Sequence, residues 1–195
     1  NYLEQIGFID INQANKANED PIGLLMKKAL DGVVIVPWAI MLDKWRAALF
    51  SGKIDESNLN ESWWELREKY QGIAPPIDRP ENFFDPGAKY HIPANTPYTR
   101  YFLASIMQYQ FHEALCNAIN FDGPLHECSI YDSKKAGERV ISTMALGQSV
   151  PWQDAFEKLT GSRELSGKSI LNYYAPLKNW LDEQNQNRTC GWEKS

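Results

Sequence analysis

Apolar residues recur with the spacing of an α-helix through nearly the whole chain, and no segment alternates apolar and polar residues as a half-buried strand does. The clearest apolar stripe lies in the expected last helix, 166–183, and consists of Ile170, Tyr174, Leu177 and Leu181. No internal repeat and no change of composition marks a domain boundary. The pattern therefore predicts an all-α fold for the 195 residues, as one helical domain or one lobe of a larger one.

Capping residues and prolines divide this pattern into helices. Asp20 followed by Pro21 predicts a helix start. That helix is expected to reach about Phe50, with a kink at Pro37. A capping box predicts that the next, shorter helix opens at Ser62. Later helices are expected over 96–120 and 132–147, from Pro151 onward, and over 166–183.

Residues 71–97 interrupt the helical pattern with six of the chain's eleven prolines. A loop of this length is unusual inside a compact domain, and long ordered loops are often functional. The densest set of chemically useful side chains lies within this loop and just after it, and comprises Lys89, His91, Tyr98, Arg100 and Tyr101. The segment is therefore the first candidate for a binding or catalytic site.

The two tyrosines of this set are three residues apart at an expected helix start, so their side chains share one face. That face adjoins a helix N-terminus, which attracts anions. Lys89 with Tyr98 suits a clamp for a carboxylate, and His91 with Tyr101 offers hydrogen-bond donors to a developing oxyanion. The alternative is an aromatic-rich buried turn whose charged groups are solvated.

Charge and hydropathy argue against a nucleic-acid-binding protein and against a membrane span in this chain. The net charge is −5 and Lys and Arg form no run, which argues against nucleic-acid binding. The longest apolar run, 33–42, has ten residues and contains a proline, whereas a membrane span needs about 20. It predicts a buried helix and no membrane span. The chain opens at Asn1 without a leader pattern, so a processed, truncated or cut N-terminus is expected.

The three histidines, His91, His112 and His126, are the first candidates for metal ligands. A zinc-peptidase helix needs two His four residues apart with Glu after the first. His112 and Glu113 begin such a motif, but Cys116 stands where the second His belongs. Although Cys also binds zinc, ordinary helix residues beside a structural cysteine are the favoured interpretation, and no metal site is predicted in this chain.

The cysteines and glycosylation motifs favour a secreted protein. Cys116 and Cys128 enclose a short loop and are candidates for a disulfide contributing about 3 kcal/mol, with two free buried thiols as the alternative. Cys190 has no assigned role. Asn60 and Asn187 each begin an Asn-x-Ser/Thr sequence, the acceptor motif for N-linked glycans.

Several longer motifs resemble the angiotensin-converting enzyme family. One is Gln-Tyr-Gln-Phe-His-Glu-Ala-Leu-Cys at 108–116, and others lie at 63–67, 69–72, 84–93, 97–102, 123–128, 136–137, 151–152 and 180–181. They follow the family's order and cover nearly the whole chain. The resemblance implies a helical, two-lobed zinc metallopeptidase with a central cleft, which is activated by chloride and releases dipeptides from the C-termini of oligopeptides.

The resemblance also implies what this chain contributes. The family's His-Glu-x-x-His motif and its third zinc ligand, a Glu, are expected upstream, so 1–195 would be the C-terminal portion of one catalytic domain that packs against its missing N-terminal part. Lys89 and Tyr98 would bind the substrate's terminal carboxylate. His91 would bind the carbonyl of the departing dipeptide and act as a proton donor, and Tyr101 would bind the oxyanion.

The same resemblance assigns ligands for two chloride ions and a disulfide. Arg100 would bind the chloride nearest the cleft, and Trp63 with Arg67 would contact a second, more buried one. Cys116 and Cys128 would form a disulfide, while Cys190 has no counterpart in the family pattern.

Departures from the family pattern bear on substrate choice. Ile35 and Ser105 stand where the family often has Phe near the cleft, so a wider or flatter subsite is expected. Lys89 favours dipeptide release, since the related single-residue carboxypeptidases have an apolar residue there. The chain's end shortly after the last helix predicts a soluble, secreted form, with a truncated C-terminus as the alternative. A non-catalytic paralogue that acts as a helical binding protein and a single-residue carboxypeptidase remain the alternatives.

Overall fold

The computed structural model describes residues 2–8, 10, 20–189 and 191, and within these residues the regular structure is entirely helical. The helices are α1 (Tyr2–Gln5), α2 (Pro21–Gly32), α3 (Ile35–Phe50), α4 (Leu59–Gln71), α5 (Thr99–Ala118), α6 (Lys134–Met144), α7 (Trp152–Thr160), α8 (Lys168–Tyr173) and α9 (Ala175–Gln184). Short 3-10 helices occur at Glu81–Phe83, Asp85–Ala88 and Leu125–Glu127. The prediction of an all-α fold is confirmed.

The long helix predicted from Pro21 to Phe50 is divided in two, and the predicted kink at Pro37 is wrong. The chain turns at Val33 and Val34, between α2 and α3. Pro37 therefore falls in the first turn of α3, where a backbone N–H has no acceptor within the helix. A proline there removes no helical hydrogen bond, so α3 continues through it.

The predicted capping box at Ser62 is also wrong. α4 begins three residues earlier, at Leu59, and the Ser62 hydroxyl donates to the Leu59 carbonyl at 3.1 Å. The carboxylate of Glu81 caps the helix, since its two oxygens accept the backbone N–H groups of Asn60 and Glu61 at 2.7 and 2.8 Å. A cap that comes from 20 residues away leaves no local sequence signal.

The predicted last helix is likewise two helices, α8 and α9, which meet at Tyr174. Pro176, in the first turn of α9, has no N–H with which to extend α8. The predicted apolar stripe nevertheless packs together, because Tyr174 and Leu177 belong to one buried cluster and Ile170 and Leu181 pack against it.

The core consists of three buried clusters, and α5 contributes side chains to each of them. Trp45, Met41 and Leu42 of α3 form the first with residues of α4 and α5, and Trp45 is fully buried. The second joins α2, α8 and α9 to α5, and the third joins α6 and α7 to α5. The 20 residues of α5 extend about 30 Å and pack into all three clusters. This packing fixes the position of the segment that precedes the helix.

Two further expectations from the sequence concern membrane spans and the pairing of the cysteines. In the part of the chain that the structure describes, no helix has the length and hydropathy to cross a membrane. Cys116 and Cys128 form a disulfide with an S–S distance of 2.02 Å, as expected. Cys190 lies outside the described residues.

Candidate functional site

Lys89, His91, Tyr98 and Tyr101, which we call the aromatic wall, lie side by side where the proline-rich segment enters α5. The Nε2 atom of His91 is 3.2 Å from the Tyr101 hydroxyl. The imidazole ring lies 4.8 Å from the Tyr98 ring, which lies 4.6 Å from the Tyr101 ring. The Lys89 ammonium sits 4.8 Å from the centre of the Tyr98 ring. The four side chains singled out from the sequence therefore converge.

The wall is buried at one end and open at the other. Tyr98 is only 7% exposed, whereas Tyr101 is 40% exposed. The Nδ1 atom of His91 is buried and has no hydrogen-bond partner among the described residues, which leaves its hydrogen bonding to Nε2 and the Tyr101 hydroxyl. Lys89 has no carboxylate within ion-pair distance in the described chain. An ammonium, an imidazole and a phenol are thus available to an anionic or carbonyl-bearing ligand.

Asp43 of α3 fixes the N-terminus of α5 beneath the wall. One carboxylate oxygen accepts the backbone N–H groups of Tyr98 and Thr99 and the Thr99 hydroxyl, at 2.8, 2.6 and 2.6 Å. Burial alone raises the pKa of Asp43, but the hydrogen bonds from Thr99, Tyr98 and Arg46 together bring the pKa below its ordinary value. The anion predicted at this helix N-terminus is therefore the protein's own carboxylate, and a ligand must bind through side chains.

Arg46 ties the same carboxylate to the preceding turn. Its guanidinium, which is largely buried, donates to the other oxygen of Asp43 at 3.0 Å and to the Asn95 side-chain oxygen at 2.7 Å. Asn95 has a positive φ of 49°, a conformation that asparagine tolerates better than most residues. Arg46 therefore holds the turn that carries His91 to α3, and Asp43 holds the start of α5 to the same helix.

A second polar network holds the turn immediately before Lys89. Asp85 accepts hydrogen bonds from Trp64 Nε1 at 2.8 Å, Asn60 Nδ2 at 3.1 Å and Arg79 Nε at 3.0 Å, and it also forms an ion pair with Arg79. The Arg79 hydrogen bond is the main cause that lowers the pKa of Asp85 to about 2, against the opposing effect of burial. The network pins the 85–88 turn to α4.

This network corrects the glycosylation prediction for Asn60. The Asn60 side chain is fully buried, and its amide nitrogen also donates to the Arg79 carbonyl at 2.8 Å. A glycan on that nitrogen would break these hydrogen bonds and has no space in the folded chain. Asn187, in contrast, is exposed in the turn after α9 and remains accessible.

Trp38 connects the aromatic wall to the predicted chloride residues Trp63 and Arg67. The Trp38 ring lies 5.8 Å from the Lys89 ammonium and 4.9 Å from the Arg67 guanidinium carbon. Trp63 packs edge-on against Trp38 with 5.7 Å between ring centres. Sequence reasoning missed Trp38 because it lies in the apolar run 33–42, where an aromatic residue indicates core packing.

Arg67 has the features of an anion ligand. Its Nε is buried without a hydrogen-bond partner, and no carboxylate lies within 4.0 Å of it in the described residues. Burial lowers the pKa of Arg67. A half-buried guanidinium that lacks a counterion suits a small anion such as chloride.

The remaining predicted residues lie apart from the wall's hydrogen bonds. Arg100 is exposed in the first turn of α5. Ser105 is buried, and its hydroxyl donates to the Tyr101 carbonyl one turn earlier at 2.7 Å. Ile35, the first residue of α3, is partly buried.

The histidine beside the disulfide does not make a metal site. Side-chain ligand atoms of His112, Cys116 and Cys128 lie within 4.8 Å of one another, but both sulfurs are committed to the disulfide and are not thiolates. His112 Nε2 is 3.0 Å from the Leu125 carbonyl, and Glu113 accepts hydrogen bonds from Ser169 and Asn172. His112 and Glu113 are thus structural residues, and the described residues supply no set of zinc ligands.

Comparison with known proteins points to one family. The model of the angiotensin-converting enzyme family matches residues 1–192. The chain is 47% identical over 176 residues to the angiotensin-converting enzyme of Mesocricetus auratus, with 89% of this chain and 13% of the relative covered. It is 44% identical over 191 residues to that of Theromyzon tessulatum, with 98% of this chain and 30% of the relative covered.

Similarity extends to a differently named relative. The chain is 43% identical over 184 residues to the angiotensin-converting enzyme-like protein Ace3 of Mus musculus, with 93% of this chain and 25% of the relative covered. The chain thus spans less than a third of the length of each of these relatives. A family match over nearly the whole chain nevertheless decides its membership: this chain belongs to the angiotensin-converting enzyme family.

Proposed function

We propose that the protein carrying this chain is a zinc peptidyl-dipeptidase that releases C-terminal dipeptides from oligopeptides. In this proposal residues 1–195 are the C-terminal portion of its catalytic domain, and the zinc ligands lie in the part that precedes them. The observation that carries the proposal is the convergence of Lys89, His91, Tyr98 and Tyr101 on one wall, with the ammonium lacking a carboxylate among the described residues.

Lys89 and Tyr98 bind the substrate's terminal carboxylate in this proposal. The ammonium lies 4.8 Å from the centre of the Tyr98 ring, so the two side chains are neighbours. A hydrogen bond between charged partners is typically worth about 1.5–3 kcal/mol. The Trp38 ring also lies 5.8 Å from the ammonium. The arrangement selects peptides that end in a free carboxylate.

His91 and Tyr101 serve the reacting carbonyl. If the proton of His91 is on Nε2, the imidazole donates to the Tyr101 oxygen and the phenol proton stays free for an oxyanion. This tautomer also leaves Nδ1 without a proton, and a bare buried nitrogen is less costly than a buried N–H without an acceptor. On substrate binding, the Nε2–H of His91 would leave the Tyr101 oxygen and donate instead to the carbonyl of the departing dipeptide.

Zinc, held upstream, would supply the Lewis acid and the activated water of the reaction. Chloride would bind at Arg67 and Trp63, where the guanidinium lacks a counterion, and at Arg100 nearer the cleft. Either anion reduces the net positive charge around the wall. The proposal for Arg67 is supported by its buried, unpartnered Nε, and that for Arg100 by the family resemblance and its place in the first turn of α5.

We also propose that the protein is secreted and glycosylated. The disulfide favours an oxidising, extracellular compartment, and exposed Asn187 is the proposed glycan acceptor.

The function is tested with the full-length protein and two substrates, an N-blocked tripeptide with a free C-terminus and the same peptide as its amide. The wild type is expected to prefer the free acid, and Lys89→Met should reduce kcat/KM for the acid by roughly 10- to 100-fold while the amide changes little. Lys53→Met, at an exposed position after α3, is the matched control. If Lys89→Met retains the full preference, the wall does not bind the carboxylate.

A further inference from the structure

An aspartate precedes a glycine or a serine at three places in the chain, which are Asp31–Gly32, Asp122–Gly123 and Asp132–Ser133. Such pairs are chemically labile, because a small following residue leaves its backbone nitrogen free to attack the carboxyl carbon of the aspartate side chain. The attack also needs a nitrogen that is not held in a hydrogen bond and a backbone that can turn the two groups toward each other. The sequence does not separate the three pairs, whereas the structure does.

Two of the pairs are held by backbone hydrogen bonds. Asp31 and Gly32 are the last two residues of α2, so the Gly32 N–H belongs to the helical ladder and the Asp31 backbone is fixed in helical geometry. The Ser133 N–H donates to the Ile130 carbonyl at 3.2 Å. A nitrogen held in this way is a poor nucleophile, so neither pair is expected to react readily in the folded protein.

The pair Asp122–Gly123 lacks these constraints. Both residues are exposed and lie in irregular structure between α5 and the 3-10 helix at Leu125–Glu127. No described residue accepts a hydrogen bond from the Gly123 N–H or pairs with the Asp122 carboxylate. The nucleophile and the group that it attacks are therefore adjacent, accessible to water and not held apart by a contact with the rest of the described chain.

We propose that Asp122 is a site of spontaneous isomerisation to isoaspartate. The Gly123 nitrogen forms a bond to Cγ of the protonated Asp122 carboxyl group, whose hydroxyl leaves as water with the N–H proton. Water then opens the resulting succinimide ring. When it attacks the ring carbonyl that came from the main chain, the bond from that carbonyl to nitrogen breaks and the backbone runs through Cγ. One water is lost and one is regained, so the mass is unchanged and no oxidant or cofactor is needed.

The product lengthens the backbone by one carbon inside the loop that the Cys116–Cys128 disulfide closes. Because the crosslink fixes both ends of this loop, the extra carbon must be accommodated between them. The Leu125 carbonyl, which contacts His112 Nε2 at 3.0 Å, is the contact most directly affected. The modification lies at the C-terminal end of α5, away from the aromatic wall, and does not depend on peptidase activity.

The test is storage of the folded, full-length protein at neutral pH and body temperature, followed by peptide mapping. Electron-transfer fragmentation in the mass spectrometer distinguishes isoaspartate from aspartate at equal mass. Isoaspartate is expected to accumulate at Asp122 at least about tenfold faster than at Asp31, because Asp31 must first open locally out of α2. In concentrated urea, where the helix is lost, the two Asp-Gly pairs should react at similar rates.

Asp122→Glu is the matched variant, since glutamate keeps the charge but would have to close a larger ring, which forms far more slowly. The variant should show no isomerisation at this position and the wild-type rate at Asp31. Similar rates at Asp122 and Asp31 in the folded protein would overturn the proposal. An unmodified Asp122 in the folded protein would overturn it as well, with the urea-treated sample as the positive control for detection.

Discussion

The two ends of α5 use the same kinds of residue in opposite ways. At the N-terminal end, His91 faces two phenols, and Lys89 has no carboxylate within ion-pair distance among the described residues. At the other end, which we call the disulfide end, His112 contacts a backbone carbonyl and the disulfide, and Glu113 accepts two side-chain hydrogen bonds. Lys89, left without a carboxylate in the described chain, is free to bind a ligand, whereas the partnered His112 and Glu113 serve the structure.

The largest effect expected from this comparison is on catalysis at the aromatic wall. Tyr101→Phe in the full-length protein should lower kcat by about 100- to 1,000-fold, because removal of one oxyanion donor costs about 2.7–4 kcal/mol in other hydrolases. KM should change little, since the contact strengthens in the transition state. Steady-state kinetics measure both values.

Tyr90→Phe is the matched control for this variant, because Tyr90 is 72% exposed and packs edge-on against the same His91 ring. Wild-type kcat in Tyr101→Phe would remove the phenol from the proposed mechanism.

At the disulfide end, loss of the crosslink should affect stability and spare chemistry. Replacing Cys116 and Cys128 together by Ala is expected to reduce the free energy of unfolding by about 3 kcal/mol, since the bridge closes a loop with a sequence separation of 12. Urea denaturation measures the loss. Activity per folded molecule should stay within about twofold, and a large fall in kcat of the folded enzyme would show that this end is not merely structural.

The network beneath Lys89 should give a smaller, pH-dependent effect. The Arg79 hydrogen bond holds the pKa of Asp85 at about 2, below its unfolded value of 3.8, so the carboxylate contributes stability above that value. Asp85→Asn should therefore cost about 1–2 kcal/mol near pH 7, with a difference from wild type that shrinks as pH falls from about 5 to 2.

Thermal unfolding across this pH range measures the effect. Asp78→Asn, in the same loop and exposed, should behave like the wild type. A pH-independent loss in Asp85→Asn would mean that shape and not charge holds the turn.

The smallest expected effect concerns Trp38, whose ring contacts both the Lys89 ammonium and the Arg67 guanidinium. Trp38 holds the Lys89 and Arg67 side chains within about 11 Å of each other, the sum of their distances to its ring. At that separation two unit charges interact by roughly 0.4–1.5 kcal/mol, so an anion at Arg67, which cancels the attraction of that guanidinium for the substrate's carboxylate, should raise the KM of a free-acid substrate about 2- to 10-fold. Trp38→Leu should weaken this effect of chloride on KM.

Kinetics with and without chloride measure this coupling, and Trp180→Leu, a more exposed indole on α9, is the control. An unchanged chloride effect in Trp38→Leu would place the coupling elsewhere.

Local signals account for the parts of the fold that could be predicted. Asp20 accepts the Gly23 N–H at 2.7 Å and Ser133 the Ala136 N–H at 3.3 Å, as expected of helix caps read from neighbouring residues. The caps from Glu81 and Asp43 were missed because they act across 20 and 55 residues. Only the folded chain brings such partners together.

In the candidate site, too, the features set by neighbouring residues could be predicted and those set by tertiary contacts could not. The sequence placed Lys89, His91, Tyr98 and Tyr101 within thirteen residues of one another, so their proximity was predictable. It could not show that Asp43 occupies the helix N-terminus. Nor could it show that Asn60 is buried, since a glycosylation motif describes three neighbouring residues and says nothing of tertiary packing.

The length of the released product tests the central proposal most directly, because the proposal places two residues between the carboxylate bound by Lys89 and Tyr98 and the carbonyl served by Tyr101. The full-length, zinc-loaded protein is incubated with an N-blocked pentapeptide, and the products are sized by mass spectrometry. The account predicts a free dipeptide and a blocked tripeptide as the first products. Release of a single amino acid, or no cleavage by the zinc-loaded protein, would contradict it.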